Sequence, residues 1–204
     1  GYPIRMMTYN IHSAYGTNGR QDVEAIAQVI EQSGADVVAL QEVSRGWMLN
    51  GSTDLLTLLS RKLNMPYTVM GATADPIWGN AILSHYPIIQ TGQGAVPRLD
   101  TLIGRGYLWA LLDLGAGERV LLIATHLHHE EHRSEVHIPQ VKTVLREWDE
   151  RPQTVLLGDM NTIPGRPEIH LILQAGFVDS WQEEGIGLGY TFPSYSPDRR
   201  IDWL

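Results

Sequence analysis

Two hydrophobic periods alternate along the chain. Short apolar runs of the kind that form buried strands are separated by segments in which apolar residues recur at helical spacing. The apolar runs predict strands at Ile4–Asn10, Asp36–Gln41, Tyr67–Met70, Asn80–Ser84, Tyr107–Leu114, Arg119–Thr125 and Thr154–Leu157, and a further strand that begins at Arg200. The segment Gly115-Ala116-Gly117 predicts the hairpin turn between the fifth and sixth of these strands.

Four segments show the helical period, with boundary residues at their ends. Asp22 predicts the start of the first helix, because its side chain can cap free N–H groups of the first turn, and Gly34 predicts its end. The other predicted helices are Asp54–Leu63, Ser134–Trp148 and Pro167–Ala175. Strands that alternate with helices in this way indicate an α/β domain.

The size and composition of the chain are those of one ordinary domain. Its 204 residues fit one domain better than two. Hydrophobic residues make up 43% and charged residues 19%, as in a typical globular protein. No apolar run approaches the roughly 18 residues that span a bilayer. The absence of cysteine excludes disulfides, thiolate zinc sites and thiol nucleophiles.

The charge of the chain bears on its partners. The net charge is −8 at pH 7, and the 15 lysines and arginines are spread thinly along the chain. A nucleic-acid-binding protein normally carries a basic stripe that neutralises phosphates. The composition therefore disfavours a general nuclease, although a bound cation can offset local negative charge.

Five polar residues lie at or just beyond the ends of predicted strands: Asn10, Glu42, His126, Asp159 and Asn161. Ligand sites gather at strand ends in α/β folds, because strands hold the backbone rigidly while the loops leave side chains free. Taken singly, each residue has a simpler interpretation, since an asparagine after a strand is usually a turn residue and a lone glutamate is usually solvated. The whole set, presented in the same way, indicates a ligand site.

Six short motifs follow one another along the chain. They are Thr8-Tyr9-Asn10-Ile11, Gln41-Glu42-Val43, Gly79-Asn80-Ala81-Ile82-Leu83-Ser84, Thr125-His126-Leu127, Gly158-Asp159-Met160-Asn161 and Arg200-Ile201-Asp202-Trp203. In this order they resemble the endonuclease/exonuclease/phosphatase superfamily, and the resemblance covers essentially the whole chain. It implies a four-layer α-β-β-α sandwich, in which two mixed β-sheets pack face to face with helices outside.

The resemblance also implies a role for each motif residue. Glu42 would bind Mg²⁺ or Mn²⁺ with Asn10 beside it, and such hard cations need few protein oxygens because they keep several waters. Asp159 would orient or deprotonate the attacking water with the help of Asn161, and His126 would donate to a phosphoryl oxygen. The expected contacts with the substrate phosphate come from Asn80, His126, Asn161 and His128.

The resemblance places a closing Ser-Asp-His segment after the strand that follows Asp202, and the residue at Asp202 hydrogen-bonds that histidine as part of the catalytic set. The sequence ends at Leu204, before such a segment. We expect a C-terminal truncation, so that residues 1–204 form a single domain of this type without its final strands. The alternative is a degenerate relative with low activity.

The segment Val43–Asp54 follows the metal-binding glutamate and should line the cleft. It resembles C-terminal domains of large membrane proteins linked to lipid-anchor remodelling, and their bacterial relatives. This similarity implies a domain that lies against a membrane, outside the cytoplasm, and acts on a lipid-linked or small phosphodiester. Trp47, Met48 and Leu49 would then face the membrane, although packing in a loop or core explains them equally well.

Several functions remain open at this point. The leading hypothesis is a Mg²⁺- or Mn²⁺-dependent phosphodiesterase or phosphatase on a non-nucleic or lipid-linked substrate. The alternatives are an endonuclease or exonuclease on DNA or RNA, and a binding module that has lost turnover. His128, Glu131 and His132 also match the H-x-x-E-H pattern of inverted zinc peptidases, which requires a helix. We predict a loop there, and the sequence does not indicate an oligomeric state.

Overall fold

The computed structural model describes residues 3–46 and 51–204. The strands in these residues are β1 (Met6–Asn10), β2 (Val37–Ser44), β3 (Tyr67–Asp75), β4 (Trp78–Ser84), β5 (Ile88–Ala95), β6 (Gly106–Gly115), β7 (Glu118–His126), β8 (Thr154–Asp159) and β9 (Asp202–Trp203). The helices are α1 (Val23–Ser33), α2 (Leu55–Lys62), α3 (Ser134–Trp148), α4 (Pro167–Gln174) and α5 (Ser180–Glu184), with a 3₁₀ turn at His12–Ala14.

The strands form two mixed sheets. The strand order is β1-β2-β4-β3 in the first sheet and β5-β6-β7-β8-β9 in the second. Each sheet holds one parallel pair, β1 with β2 and β7 with β8. Parallel neighbours need a crossover connection, and α1 and α3 supply the two crossovers. The last paired residues of these parallel strands include Asn10 in the first sheet and His126 and Asp159 in the second.

Side chains of the central strands alternate between two cores. In β2, Val37 packs between the two sheets, whereas Val38 packs under the helices of the first sheet. In β7, Leu122 lies between the sheets and Leu121 faces the helices of the second sheet. Successive strand residues point to opposite faces, so a strand buried on both faces is apolar throughout. This explains the continuous apolar runs in the sequence.

The helices complete the predicted four-layer sandwich. α1 and α2 cover the outer face of the first sheet, and α3 and α4 cover the outer face of the second. Asp22 caps α1 as predicted, since its carboxylate accepts a hydrogen bond from the N–H of Ala25 at 2.9 Å. Gly34 ends α1 with a φ of 63°, a left-handed conformation that glycine adopts without strain.

Some elements differ from the sequence-based predictions. β5 and α5 were not predicted, because β5 carries two glycines and weak alternation and α5 has only five residues. β2 continues to Ser44, so Glu42 lies inside a strand rather than after its end. Trp47, Met48 and Leu49, considered above as membrane-facing, lie outside the described residues. Of the helices that the structure describes, none has the length and hydrophobicity to cross a membrane.

The core between the sheets predicts a large effect of truncation at Leu122, which is fully buried. Leu122→Ala should lower the free energy of unfolding by about 2–5 kcal/mol, because the sheets on both sides cannot collapse onto the cavity. Leu102→Ala is the matched control, since Leu102 is 88% exposed and should change stability little. Urea unfolding of both variants measures the difference, and equal effects would contradict the packing described here.

Candidate active site

A single amide joins residues from the two sheets. Nδ2 of Asn10 lies 3.3 Å from Oε1 of Glu42 and 3.0 Å from Oδ2 of Asp159, and donates to both carboxylates. Asn10 ends β1 in the first sheet, whereas Asp159 ends β8 in the second. The carboxylates of Glu42 and Asp159 therefore face the same pocket, which the sandwich forms where these strands end.

The backbone around Glu42 is locally irregular. The register of β2 against β4 shifts between Leu40 and Val43, and Glu42 has a φ of 58°. A bulge redirects a side chain that regular alternation would point elsewhere. The carbonyl of Glu42 accepts a hydrogen bond from Oγ of Ser13 at 3.1 Å, and Ser13 itself has a φ of 51°. Left-handed non-glycine residues of this kind cluster at functional sites.

Asp159 is held by the backbone of its own turn. Gly158 precedes it with a φ of 148°, and a Cβ there would lie only 2.0 Å from the carbonyl oxygen of Thr125. Only glycine allows this close approach of β7 and β8. The N–H of Asn161 donates to Oδ1 of Asp159 at 3.0 Å, and Nδ2 of Asn161 donates to the carbonyl of Leu127 at 3.2 Å. Asn161 thus joins the turns that follow β7 and β8.

Asp202 lies directly opposite Asp159 in the antiparallel pair of β8 and β9. Burial, and then the negative charge of Asp202, raise the pKa of Asp159 to about 7, although hydrogen bonds from Asn10 and Asn161 oppose the shift. Burial also raises the pKa of Asp202 to about 6. A carboxylate whose pKa lies near neutrality is well suited to take a proton from water.

His126 is oriented from both sides. Nη1 of Arg105 lies 3.2 Å from Nδ1 of His126, and a guanidinium can only donate. Nδ1 is therefore the acceptor, and the neutral ring carries its proton on Nε2, which lies 3.6 Å from Oδ2 of Asp159. Burial, followed by the positive charge of Arg105, lowers the pKa of His126. The imidazole is thus a neutral donor that points into the pocket.

Arg105 is a site residue that the sequence reasoning missed. It is buried, and its Nε has no hydrogen-bond partner among the described residues. Burial lowers the pKa of Arg105, while the charges of Glu42 and Asp159 act in the opposite direction. The guanidinium also lies 5.7 Å from the ring of Trp78. The only sequence signal was a charged residue between two glycines at the start of an apolar strand.

Two predicted phosphate-binding residues are engaged elsewhere in this structure. Asn80 is buried within β4, and its Nδ2 donates to the carbonyl of Gly106 at 3.1 Å, which connects the two sheets. His128 is also buried, with Nε2 at 2.7 Å from Oε2 of Glu130. Its ring packs edge-to-face against His129, with the ring centroids 4.6 Å apart. Contacts of Asn80 and His128 with a phosphate remain predictions.

The zinc-peptidase pattern has no helix to support it. The segment from His128 to His132 is a turn that precedes α3, as predicted. Glu131 pairs with Arg199 at 2.7 Å, and His132 contacts Arg166 instead of turning toward His128. These three side chains therefore do not form the zinc site that the motif requires.

The pocket suits a hard divalent cation. Within the described residues it collects three carboxylates, of Glu42, Asp159 and Asp202, against the single guanidinium of Arg105. No group of three or more His, Asp and Glu side chains in the described residues converges as a complete metal cage. Mg²⁺ does not need one, because it keeps several waters. Asn10 would have to turn its Oδ1, which now accepts from the N–H of His12, to join Glu42 as a ligand.

The four layers and the acidic pocket together define a protein of the phosphoesterase class. A profile of the Endonuclease/Exonuclease/phosphatase family matches residues 7–204, and the chain belongs to this family. Members of the family are phosphoesterase hydrolases that generally use divalent metals. The sequence-based identification is thereby confirmed at the level of family and fold.

Solved structures show the same fold. The chain is similar to an endonuclease/exonuclease/phosphatase from Beutenbergia cavernae, with 28% identity and a TM-score of 0.76 over 98% of this chain and 63% of that one. It is similar in fold to D. rerio TDP2 complexed with single-strand DNA product, at 19% identity and a TM-score of 0.74, covering 98% and 82% of the two chains. It is also similar in fold to the human Nocturnin catalytic domain with bound sulfate, at 17% identity and a TM-score of 0.76, covering 98% of this chain and 80% of that one. The chain thus spans less than two thirds of the Beutenbergia protein.

The paired carboxylates predict a pH-dependent stability in metal-free buffer. The pKa values of Asp159 and Asp202, about 7 and about 6, lie above the ordinary value of 3.8, so the folded state holds protons that the unfolded state releases. The stability that these two carboxyl groups contribute should be fully present below about pH 4 and should be lost as pH rises through 6 to 7. Asp202→Asn should flatten this decline, measured by thermal unfolding with EDTA.

The exposed Asp149 provides the control for this prediction. Asp149→Asn should leave the decline unchanged, because Asp149 is exposed and is not one of the two buried carboxylates. Addition of Mg²⁺ should also reduce the decline in the unchanged protein, because a cation offsets the repulsion. A pH profile that is the same in Asp202→Asn and in the unchanged protein would show that the two carboxylates do not interact as described.

Proposed function

We propose that the chain is a Mg²⁺- or Mn²⁺-dependent phosphoesterase, a phosphodiesterase or phosphatase that acts on a small or lipid-linked substrate rather than on nucleic acid. One observation carries the proposal. The amide of Asn10 joins the carboxylates of Glu42 and Asp159, from different sheets, in a pocket that also contains the Nε2–H of His126. Phosphate hydrolysis needs this combination of charge neutralisation, an oriented water and donors to oxygen.

Glu42 and Asn10 are the residues that would hold the cation. Three carboxylates and one guanidinium leave the described part of the pocket negative, so that an anionic phosphate would be repelled without a cation. A bound divalent ion supplies the positive charge that neutralises a phosphoryl oxygen. The bulge in β2 at Glu42 supports this role, because its carboxylate lies 3.3 Å from the amide of Asn10.

Asp159 is the proposed base. Its raised pKa keeps a fraction of the carboxyl groups protonated at neutral pH, but makes the ionised form basic enough to take a proton from water. The N–H of Asn161 holds Oδ1, which leaves Oδ2 to face Asn10 and the pocket. Asp202 contributes through its charge, which raises the basicity of Asp159.

His126 and Arg105 are the proposed donors to the phosphate. Because Arg105 occupies Nδ1 of His126, the neutral ring presents Nε2–H to an oxygen of the substrate. The free Nε of Arg105 offers a second, charged donor. Donors that are already oriented stabilise the charge of the transition state without reorganisation.

Two apolar loops support a non-nucleic substrate. Leu102 is 88% exposed in the loop that leads into Arg105, and Ile186 is 91% exposed in the segment that leads into β9. Oγ1 of Thr191, in the second segment, accepts a hydrogen bond from the N–H of Asp202. Exposed apolar side chains in the segments that lead into Arg105 and Asp202 suit an acyl or other apolar substituent, and the net charge of −8 disfavours a polyanion.

A nuclease is the second candidate, because D. rerio TDP2 was solved with a single-strand DNA product. A binding module without turnover is a third. Both candidates make different predictions from the proposal, since a nuclease should prefer oligonucleotides and a binding module should turn over none of the substrates below.

The first test is the hydrolysis of bis-p-nitrophenyl phosphate by the full chain. Turnover should require Mg²⁺ or Mn²⁺ and stop with EDTA. Glu42→Gln should abolish the turnover that depends on Mg²⁺ or Mn²⁺. Asp159→Asn should lower kcat by about 10²–10⁴-fold, because the water loses its base. Glu31→Gln and Asp149→Asn, at exposed positions, are the matched controls and should keep full activity. Substantial turnover in both pocket variants would exclude the assignment.

The second test separates lipid from nucleic acid. A phosphodiester lipid in neutral vesicles should be hydrolysed at least about tenfold more efficiently than a single-stranded oligonucleotide, because the apolar loops contact the acyl chains. Leu102→Ser and Ile186→Ser should reduce turnover of the vesicle substrate but leave bis-p-nitrophenyl phosphate hydrolysis unchanged. Preference for the oligonucleotide would instead favour the nuclease.

A further inference from the structure

Helix α3 presents two buried polar side chains to one residue of the loop that follows β7. Nε2 of His137 donates to the carbonyl oxygen of His128 at 2.7 Å, and Oε1 of Gln140 accepts from the N–H of His128 at 3.0 Å. His137 and Gln140 lie one helical turn apart and are 0% and 1% exposed. Both backbone polar groups of His128 are therefore held by side chains of the same helix.

The same helix also holds the loop that precedes Arg105. Nε2 of Gln140 donates to the carbonyl oxygen of Pro97 at 3.0 Å. One amide side chain thus connects two loops, the first of which leads into Arg105 and the second of which follows His126. Arg105 and His126 contact each other directly, with Nη1 of Arg105 at 3.2 Å from Nδ1 of His126. Displacement of Gln140 would alter both loops together.

A buried carboxylate extends the connection to the turn after β8. Oε1 of Glu168 lies 3.3 Å from Nδ1 of His137 and accepts a hydrogen bond from Oγ1 of Thr162 at 2.5 Å. Burial raises the pKa of Glu168, but the hydrogen bonds from His137 and Thr162 outweigh it and bring the pKa to about 2. The two ring nitrogens of His137 therefore contact the carboxylate of Glu168 on one side and the carbonyl oxygen of His128 on the other.

These polar groups are unusual for a helix that packs on a sheet. An apolar side chain at either position of α3 would fill the space without leaving a charge or amide to be paired. Thr162 follows Asn161 directly, and its own carbonyl accepts from Nε1 of Trp203 at 2.9 Å. The polar groups of α3 and α4 therefore contact His128, two residues after His126, and Thr162, three residues after Asp159.

We propose that His137, Gln140 and Glu168 are positioning residues that set the distance between the turn carrying His126 and the turn carrying Asp159. They contact no reacting atom. Their effect passes through the backbone of His128 and through Thr162. The proposal rests on the proposed function for its catalytic meaning, but the restraint itself can be measured without turnover.

The first measurement is amide hydrogen exchange in Gln140→Leu and Thr162→Val. Loss of these buried hydrogen bonds should accelerate exchange of the amides of Leu127, His128 and Asn161 by about tenfold or more. Amides of β2 in the other sheet should keep their protection. Thr162→Ser should restore slow exchange, because it retains the hydroxyl that donates to Glu168.

The matched control is Thr143→Val. Thr143 also lies on α3, but its Oγ1 donates within the helix to the carbonyl of Pro139 and contacts neither turn. It should leave exchange at the two turns unchanged. The proposal would be overturned if amide exchange accelerated uniformly over the whole chain. It would also be overturned if exchange at the two turns did not accelerate in Gln140→Leu and did not accelerate in Thr162→Val. Thr162→Val removes a single hydroxyl and provides the test if Gln140→Leu does not fold.

The second measurement uses bis-p-nitrophenyl phosphate. Gln140→Leu and Thr162→Val should lower kcat per folded molecule by about tenfold, with KM and the affinity for Mn²⁺ unchanged, because Glu42 and Asn10 lie on the other sheet. If Gln140 and Thr162 had only a structural role, the variants would lower the unfolding midpoint without this change in kcat. A kcat within about twofold of that of the unchanged protein would overturn the proposal. Absence of turnover in the unchanged protein would contradict the proposed function alone, and hydrogen exchange would then decide on the positioning residues.

Discussion

The site depends on one hydrogen-bonded amide between two sheets. Asn10 donates to Glu42 in its own sheet and to Asp159 in the other, and these contacts bridge 32 and 149 residues of sequence. Because two carboxylates repel each other, they can share a pocket only if donors or a cation lie between them. The amide supplies the donors, and the core between the sheets holds the strands that carry all three side chains in place.

The second sheet holds its part of the site through the backbone. Leu127 donates its N–H to the carbonyl of Asp159 at 3.0 Å and accepts from the side chain of Asn161. Gly158 permits the close approach of the two strands that this requires. Behind the turns, polar side chains of α3 and α4 replace the apolar contacts that would suffice for stability. Precision at the pocket therefore comes from hydrogen bonds around the backbone rather than from the packing of side chains alone.

The same arrangement stores unfavourable energy at the pocket. Burial beside Asp202 raises the pKa of Asp159, and left-handed residues occur at Glu42 and Ser13. Such features lower stability, and the apolar core between the sheets offsets their cost. Arg105 reduces the repulsion and at the same time assigns the tautomer of His126. A cation at Glu42 would relieve the repulsion further, which links metal binding to the stability of the fold.

Residue patterns alone indicated an α/β domain, and the family resemblance of the motifs implied the four layers that the structure confirms. Apolar runs and helical spacing reflect burial, a property of each residue with its near neighbours. The motifs assigned Asn10, Glu42 and Asp159 to the strands in which the structure has them, β1, β2 and β8. Local patterns did not indicate three features, namely the bulge at Glu42, the weakly patterned strand β5 and the position of the Arg105 guanidinium. These features depend on tertiary contacts. The physical reason is that their partners are distant in sequence: the contact between Arg105 and His126 spans 21 residues, and no local period records which loops the packed sheets bring together.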